Sequence, residues 1–201
     1  MTTDLFYNGN FKQNIKKIKG DLITYAERNH IAVPKELFLV KCNPTIVGNN
    51  VLFVCPPFKG KEYFKEKEDK YLSRLIDKFG IVYKAITYCH LLPMDRMNKA
   101  AIKSFRPWIY RITDLLSPRL IVVLGEDAEL AFINQKALLR ENHGKEIGEY
   151  KGAPIILTYP MDYYLQRAEY EDPSYKQHLQ ENDWRIIEKR YGELIIHNKG
   201  E

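Results

Sequence analysis

The chain has 201 residues, 45% of them hydrophobic and 28% charged, with a formal net charge of +5. These values fit one globular domain with a full core and exclude a disordered or collagen-like chain. No run approaches the roughly 18 consecutive apolar residues that a membrane span needs, so no membrane partner is expected.

The elements follow from periodicity. Lys12 to Arg28 places Ile15, Ile18, Leu22, Ile23 and Ala26 on one helical face, an N-terminal helix over about 11–29. Val51–Cys55 is an apolar run stopped by Pro56 and Pro57, a buried strand forced into a loop. Glu66–Phe79 is predicted as a helix with Tyr71, Leu72, Leu75, Ile76 and Phe79 inward and Gly80 as its stop. Ile81–Tyr88 is a second strand. Asn98–Leu116 is helical, and Pro107 must kink it or mark its real boundary. Leu120–Leu124 is a third strand ended by Gly125, Glu126–Ile133 a short helix, and Ile155–Thr158 a fourth strand. Pro173–Tyr191 is the last helix, with proline at its first turn.

Short apolar strands alternating with helices predict a three-layer α/β/α sandwich around a four-stranded, mostly parallel sheet. The whole chain is read as one domain, its core over about 35–192. In such sheets ligands bind beyond the carboxyl ends of the strands. Four loops then carry the function: CPPFKGKEYF, TYCHLLPMDR, LGEDAE and TYPMDYYLQR. The opening MTTDLFYNGN lacks a basic start followed by an apolar run, so no secretory signal is expected. Three dispersed cysteines, Cys42, Cys55 and Cys89, argue against a disulfide framework and suit a reducing cytoplasm. With no CxxC or HxxxH pair a structural zinc site is not expected, and neither another metal nor a cofactor is expected.

In this order and spacing the segments VLFV–CPPFKG, ITYCHLLP, SFRPWIYRITDLLSPRLIVVLG and GEYKGAPIILTYPMDYYLQR resemble the uracil-DNA glycosylase superfamily, above all its bacterial and archaeal iron–sulfur branch. The resemblance covers about residues 35–190 and implies the fold and DNA as partner. Its catalytic positions depart from the family pattern. The family's histidine in Thr-Tyr-His falls on Pro160, which has no donor, and the asparagine that reads the uracil edge falls on Tyr88. The Gly-Glu of the first loop falls on Cys55–Pro56. Cluster cysteines fall on Ser104 and near Leu91 or Leu92, and Cys42 alone cannot hold a cluster. The resemblance therefore implies neither uracil excision nor an iron–sulfur centre.

Cleaving an N-glycosidic bond requires a flipped base, negative charge near an oxocarbenium-like sugar or an activated water, and an acid for the leaving base. The loops offer Asp162, Glu62 and Asp95 as carboxylates, in that order, and His90 as the acid. Tyr88, Phe58, Phe64, Pro56 and Pro160 are candidates for the base pocket. Lys59, Lys61, Arg96, Arg106 and Arg167 are candidates for gripping phosphate, and Met161, Tyr163 and Tyr164 for the wedge that replaces a flipped base. Each also has a plain structural alternative as core, cap or solvated loop. The expected function is a monomeric DNA glycosylase of altered specificity acting on a modified or bulky base, in phage defence or phage DNA metabolism. The alternatives are a catalytically silent DNA-binding accessory protein and a different enzyme acting on nucleosides or nucleotides.

Overall fold

The computed structural model describes residues 4–29, 40–41, 51–55, 66–81, 86–90, 99–104, 106–133, 139–167 and 173–196. In chain order its elements are α1 (Asp4–Arg28), β1 (Val40–Lys41), β2 (Val51–Cys55), α2 (Glu66–Lys78), β3 (Ile86–His90), α3 (Lys99–Ser104), α4 (Arg106–Leu116), β4 (Leu120–Leu124), α5 (Glu126–Phe132), α6 (Leu139–Asn142), β5 (Lys145–Tyr150), β6 (Ala153–Thr158), α7 (Met161–Arg167) and α8 (Pro173–Ile196).

Three strands, β2, β4 and β6, are buried along their whole length. Continuous apolar runs such as VLFVC and LIVVL have no polar face to give to water, so both faces of the sheet must be covered. The strands lie in the order β1-β3-β2-β4-β6-β5. The pairs β3–β2, β2–β4 and β4–β6 are parallel, and the outer pairs β1–β3 and β5–β6 are antiparallel. The expected four-stranded, mostly parallel sheet is thus corrected to a six-stranded mixed one. The two additions are outer strands without the apolar run that betrays a central strand. β1 has two residues, and β5 reads KEIGEY with its charged residues exposed.

The chain leaves β2 toward β3 on one side, crosses over to β4 on the other, and continues outward to β6. Right-handed crossovers in opposite directions put their helices on opposite faces. Accordingly α2 packs with α7 and α7 with α8, while α5 packs with α3 and α4, and α4 with α1. Trp184 of α8 stacks over Phe53 of β2 and Phe79 beyond α2, at 6.0 Å from each ring. On the other side Asp21 of α1 takes Arg111 of α4 at 2.7 Å, and Tyr25 meets Trp108 at 5.8 Å. One cluster of buried side chains runs from Phe11 to Tyr191.

Several boundaries move for local reasons. The predicted helix 98–116 is two helices, with Pro107 in the first turn of α4, where a missing N–H costs nothing. The predicted strand Ile81–Tyr88 is displaced to Ile86–His90. Ile81 instead closes α2: Gly80 turns left-handed (φ 63°), and the Ile81 N–H donates to the Ile76 carbonyl at 3.1 Å. Residues 161–167, read as a turn, form α7. β5 and β6 are joined through Lys151 (φ 50°) and Gly152 (φ 83°), two positive-φ residues that suit the twist of a two-residue hairpin.

Candidate functional site

The four parallel strands end level. Cys55 of β2 pairs with His90 of β3, and Leu124 of β4 pairs with Thr158 of β6. The connections diverge on either side of β2 and β4, so the topological switch point, where open α/β sheets bind their ligands, lies at those carboxyl ends. Two turns rise there against each other. Gly125 adopts φ 86° and ψ 171°, a region open to glycine alone, and its N–H donates to the Thr158 carbonyl at 2.9 Å. A Cβ at this position would meet the Pro160 ring at 3.2 Å. Pro160 thus sits on the start of α5, and the glycine permits that approach.

Asp162 follows in the first turn of α7. It is half-buried, and its carboxylate has no hydrogen-bond or ion-pair partner among the described residues. Glu126 and Asp127 stand exposed at the start of α5. His90 ends β3, and Tyr88 lies two residues earlier, opposite Phe53. Two strands separate β3 from β6. At about 4.8 Å per strand, the ends carrying His90 and Thr158 lie roughly 14 Å apart. Backbone positions at the two ends of this row are beyond direct hydrogen-bond reach.

Of the remaining predicted site residues, Glu62, Asp95, Phe58, Phe64, Pro56, Lys59, Lys61 and Arg96 lie outside the described residues, as does the side chain of Arg167. Three expectations are corrected. Met161 and Tyr164 are both only 2% exposed and pack into the core, which takes them away from a DNA wedge. Arg106 donates from Nε to the Ala131 carbonyl at 3.1 Å and from Nη2 to Leu130 at 2.8 Å. It caps the last turn of α5, where a cation suits the helix dipole, and is not a free phosphate grip. Tyr163 stays half-exposed, stacked on Tyr159 at 4.1 Å with the rings 9° apart.

The most constructed polar group at this edge was not singled out from the sequence. Asp183 of α8 is 1% exposed. Its Oδ2 accepts from Thr158 Oγ1 at 2.7 Å and from the Tyr164 hydroxyl at 3.2 Å, while Oδ1 lies 2.8 Å from His143 Nδ1. Thr158 and Tyr164 also lie 3.0 Å from each other, so two hydroxyl hydrogens serve three contacts. Burial pushes the Asp183 carboxyl above its ordinary range, and the hydrogen bonds from Thr158, His143 and Tyr164 pull it back. The Tyr164 hydroxyl is held well above its ordinary value, first by burial and then by the charge of Asp183.

His143 reaches Asp183 because of the turn between α6 and β5. The His143 N–H donates to Leu139 at 2.9 Å, and Gly144 turns left-handed (φ 68°) to donate to the Leu157 carbonyl at 2.7 Å. β5 runs antiparallel to β6, so this turn stands at the carboxyl end of the parallel strands. A Cβ on Gly144 would come within 2.5 Å of Asp183 Oδ1. The imidazole also lies against Tyr159, ring centres 4.9 Å apart. Signals for this cluster were present but weak: an Asp-Trp pair inside an amphipathic helix, and a His-Gly pair between two polar segments.

Among the described residues no group of three or more His, Cys, Asp or Glu side chains is placed to hold a metal ion. No helix among them is long and apolar enough to cross a membrane. No protein-family model matches the chain, and no curated protein matches it significantly.

Proposed function

We propose that the chain is a DNA glycosylase of altered specificity, which hydrolyses the N-glycosidic bond of a modified or bulky base. The observation that carries the reading is Asp162: a half-buried carboxylate without a countercharge among the described residues, at the carboxyl edge of a parallel sheet. A sugar that gains positive charge as its base departs is stabilised by such a group, or by the water it activates. The resemblance of the four loops supplies the substrate class, DNA with the base flipped out of the stack. By the same resemblance Pro160 and Tyr88 take the positions of a donor and an amide that uracil recognition needs, which argues for a specificity other than uracil. The reading places the protein with DNA in the cytoplasm, acting as a monomer, and suits defence against phages whose genomes carry modified bases.

The test uses oligonucleotides, single- and double-stranded, carrying uracil, 5-hydroxymethyluracil, 5-hydroxymethylcytosine or its glucosylated form. Alkali then breaks the chain at abasic sites. Strand breaks at one modified base are expected, and Asp162→Asn should reduce their rate about 100-fold or more. Breaks that persist in Asp162→Asn would remove that residue from the chemistry. The rival reading, a silent DNA-binding accessory protein, draws on the missing donor at Pro160. It predicts intact strands throughout, with DNA affinity that falls steeply with salt.

A further inference from the structure

We infer that His143, held by Asp183, is the general acid that protonates the departing base. The inference rests on the glycosylase reading and gives the role of acid, expected of His90, to a residue beside β6, since His90 ends β3, which two strands separate from β6. Three observations carry it. The Nδ1 of His143 lies 2.8 Å from a carboxylate that is itself fixed by Thr158 and Tyr164. While Asp183 is ionised it can only accept, so Nδ1 carries the hydrogen and the other ring nitrogen, Nε2, is left for exchange. The side chain keeps 22% of its surface exposed although its partner keeps 2%, so the pair reaches from the core to solvent. Nε2 has no partner among the described residues.

The location matches the chemistry. The imidazole stands at the carboxyl edge of the sheet beside Tyr159, and Tyr159 stacks on Tyr163, the residue after Asp162. The line His143–Tyr159–Tyr163 joins a proton donor to the turn that carries the carboxylate. In the proposed step the bond between C1′ and the base nitrogen breaks, and its electron pair leaves with the base. The Nε2 proton of the imidazolium passes to that base. Water adds its oxygen to C1′ and gives one proton to Asp162. Asp162 returns this proton through solvent to His143, so one water is consumed and both residues are restored. Asp183 and Thr158 touch neither substrate nor water in this scheme; they are positioning residues that keep the ring in one tautomer.

Two measurements test the inference. In the first, base release from the modified oligonucleotides is followed in single turnover for the whole protein, His143→Ala and His143→Gln. Both variants are expected to lose about 100-fold or more, and millimolar imidazole should restore part of the rate in His143→Ala. Asp183→Asn should lower kcat with little change in KM and move the alkaline limb of the pH profile to lower pH, because the imidazolium loses the carboxylate that stabilises it. In the second, which needs no DNA, diethylpyrocarbonate is added at neutral pH and the modified histidine is mapped by peptide mass. His143 is expected to react at Nε2 in the folded protein. Base release within threefold of the parent in both His143 variants would overturn the inference and leave the glycosylase reading standing, and an unreactive His143 would also overturn it. A parent protein that releases no base from the panel overturns both.

Discussion

The turn out of β4 and the turn out of β6 lie against each other, Gly125 on Pro160, yet they are fixed by different chemistry. The first is held by backbone: a glycine-only conformation, one hydrogen bond to the Thr158 carbonyl and one from Glu129 to Gly125. Of its acids Glu126 and Asp127 stay in solvent, whereas the Glu129 side chain is buried. The second is held by side chains, through Thr158, Tyr164 and Asp183, all three buried. A backbone latch is indifferent to pH, whereas a buried carboxylate is not. Two turns on one edge can therefore respond to different conditions although they touch.

The sharpest way to break this contrast is Asp183→Ala. It leaves the buried hydroxyls of Thr158 and Tyr164 without their acceptor, and the expected loss is on the order of 3 kcal/mol of unfolding free energy in urea. Gly125→Ala attacks the other turn. It forces a side chain into a glycine-only region against the Pro160 ring, and should cost about 1–3 kcal/mol, by the same amount at pH 5 and pH 8. A loss that varied with pH would refute the backbone account of this turn.

The pH response of the second turn has a defined sign. The folded Asp183 carboxyl titrates above its unfolded value of about 3.9. Between those values the folded chain keeps a proton that the unfolded chain has released. Its stability contribution is complete below about pH 3.9 and is lost as pH rises through the folded value. Subtracting the profile of Asp183→Asn from that of the parent should isolate this decline. The Tyr164 hydroxyl repeats the pattern at the alkaline end. Above about pH 10 the unfolded chain ionises it and the folded chain does not, so stability falls there and Tyr164→Phe should flatten the fall. The smallest effect is expected from Asp127→Asn. That acid is exposed at the start of α5, and its replacement should stay within about 0.5 kcal/mol.

What the sequence disclosed follows from the same physics. Runs such as VLFVC, LIVVL and PIILT have no polar face, so the buried strands at the sheet centre are legible. Strand β5 was hidden because an outer strand carries charges where a central one carries valines, and KEIGEY alternates too weakly to stand out. Helix α7 was hidden because MDYYLQR is short and two of its side chains, Met161 and Tyr164, are core while Asp162 and Tyr163 are not. Asp162 was legible from its place after a strand end. The pair His143–Asp183 was not, since 40 residues separate its members and only the fold brings them together. Arg106 looked like a phosphate grip because a cation beside a predicted site loop gives no sign of the carbonyls it will cap.

The charged outer strand has a consequence for how the molecule behaves in a crowd. β5 ends the sheet on one side, and among the described residues no further strand pairs with its outer edge, the kind of edge to which a second chain adds itself strand by strand. Lys145, Glu146 and Glu149 stand exposed along it, and the pairing slips between Glu146 and Gly148. An antiparallel copy would have to bring like charges together across an irregular ladder. The strand that helps to seat His143 thus also works as a fence: it closes the sheet against polymerisation, and replacing Glu146 and Glu149 by threonine should bring on light scattering at protein concentrations the parent chain tolerates.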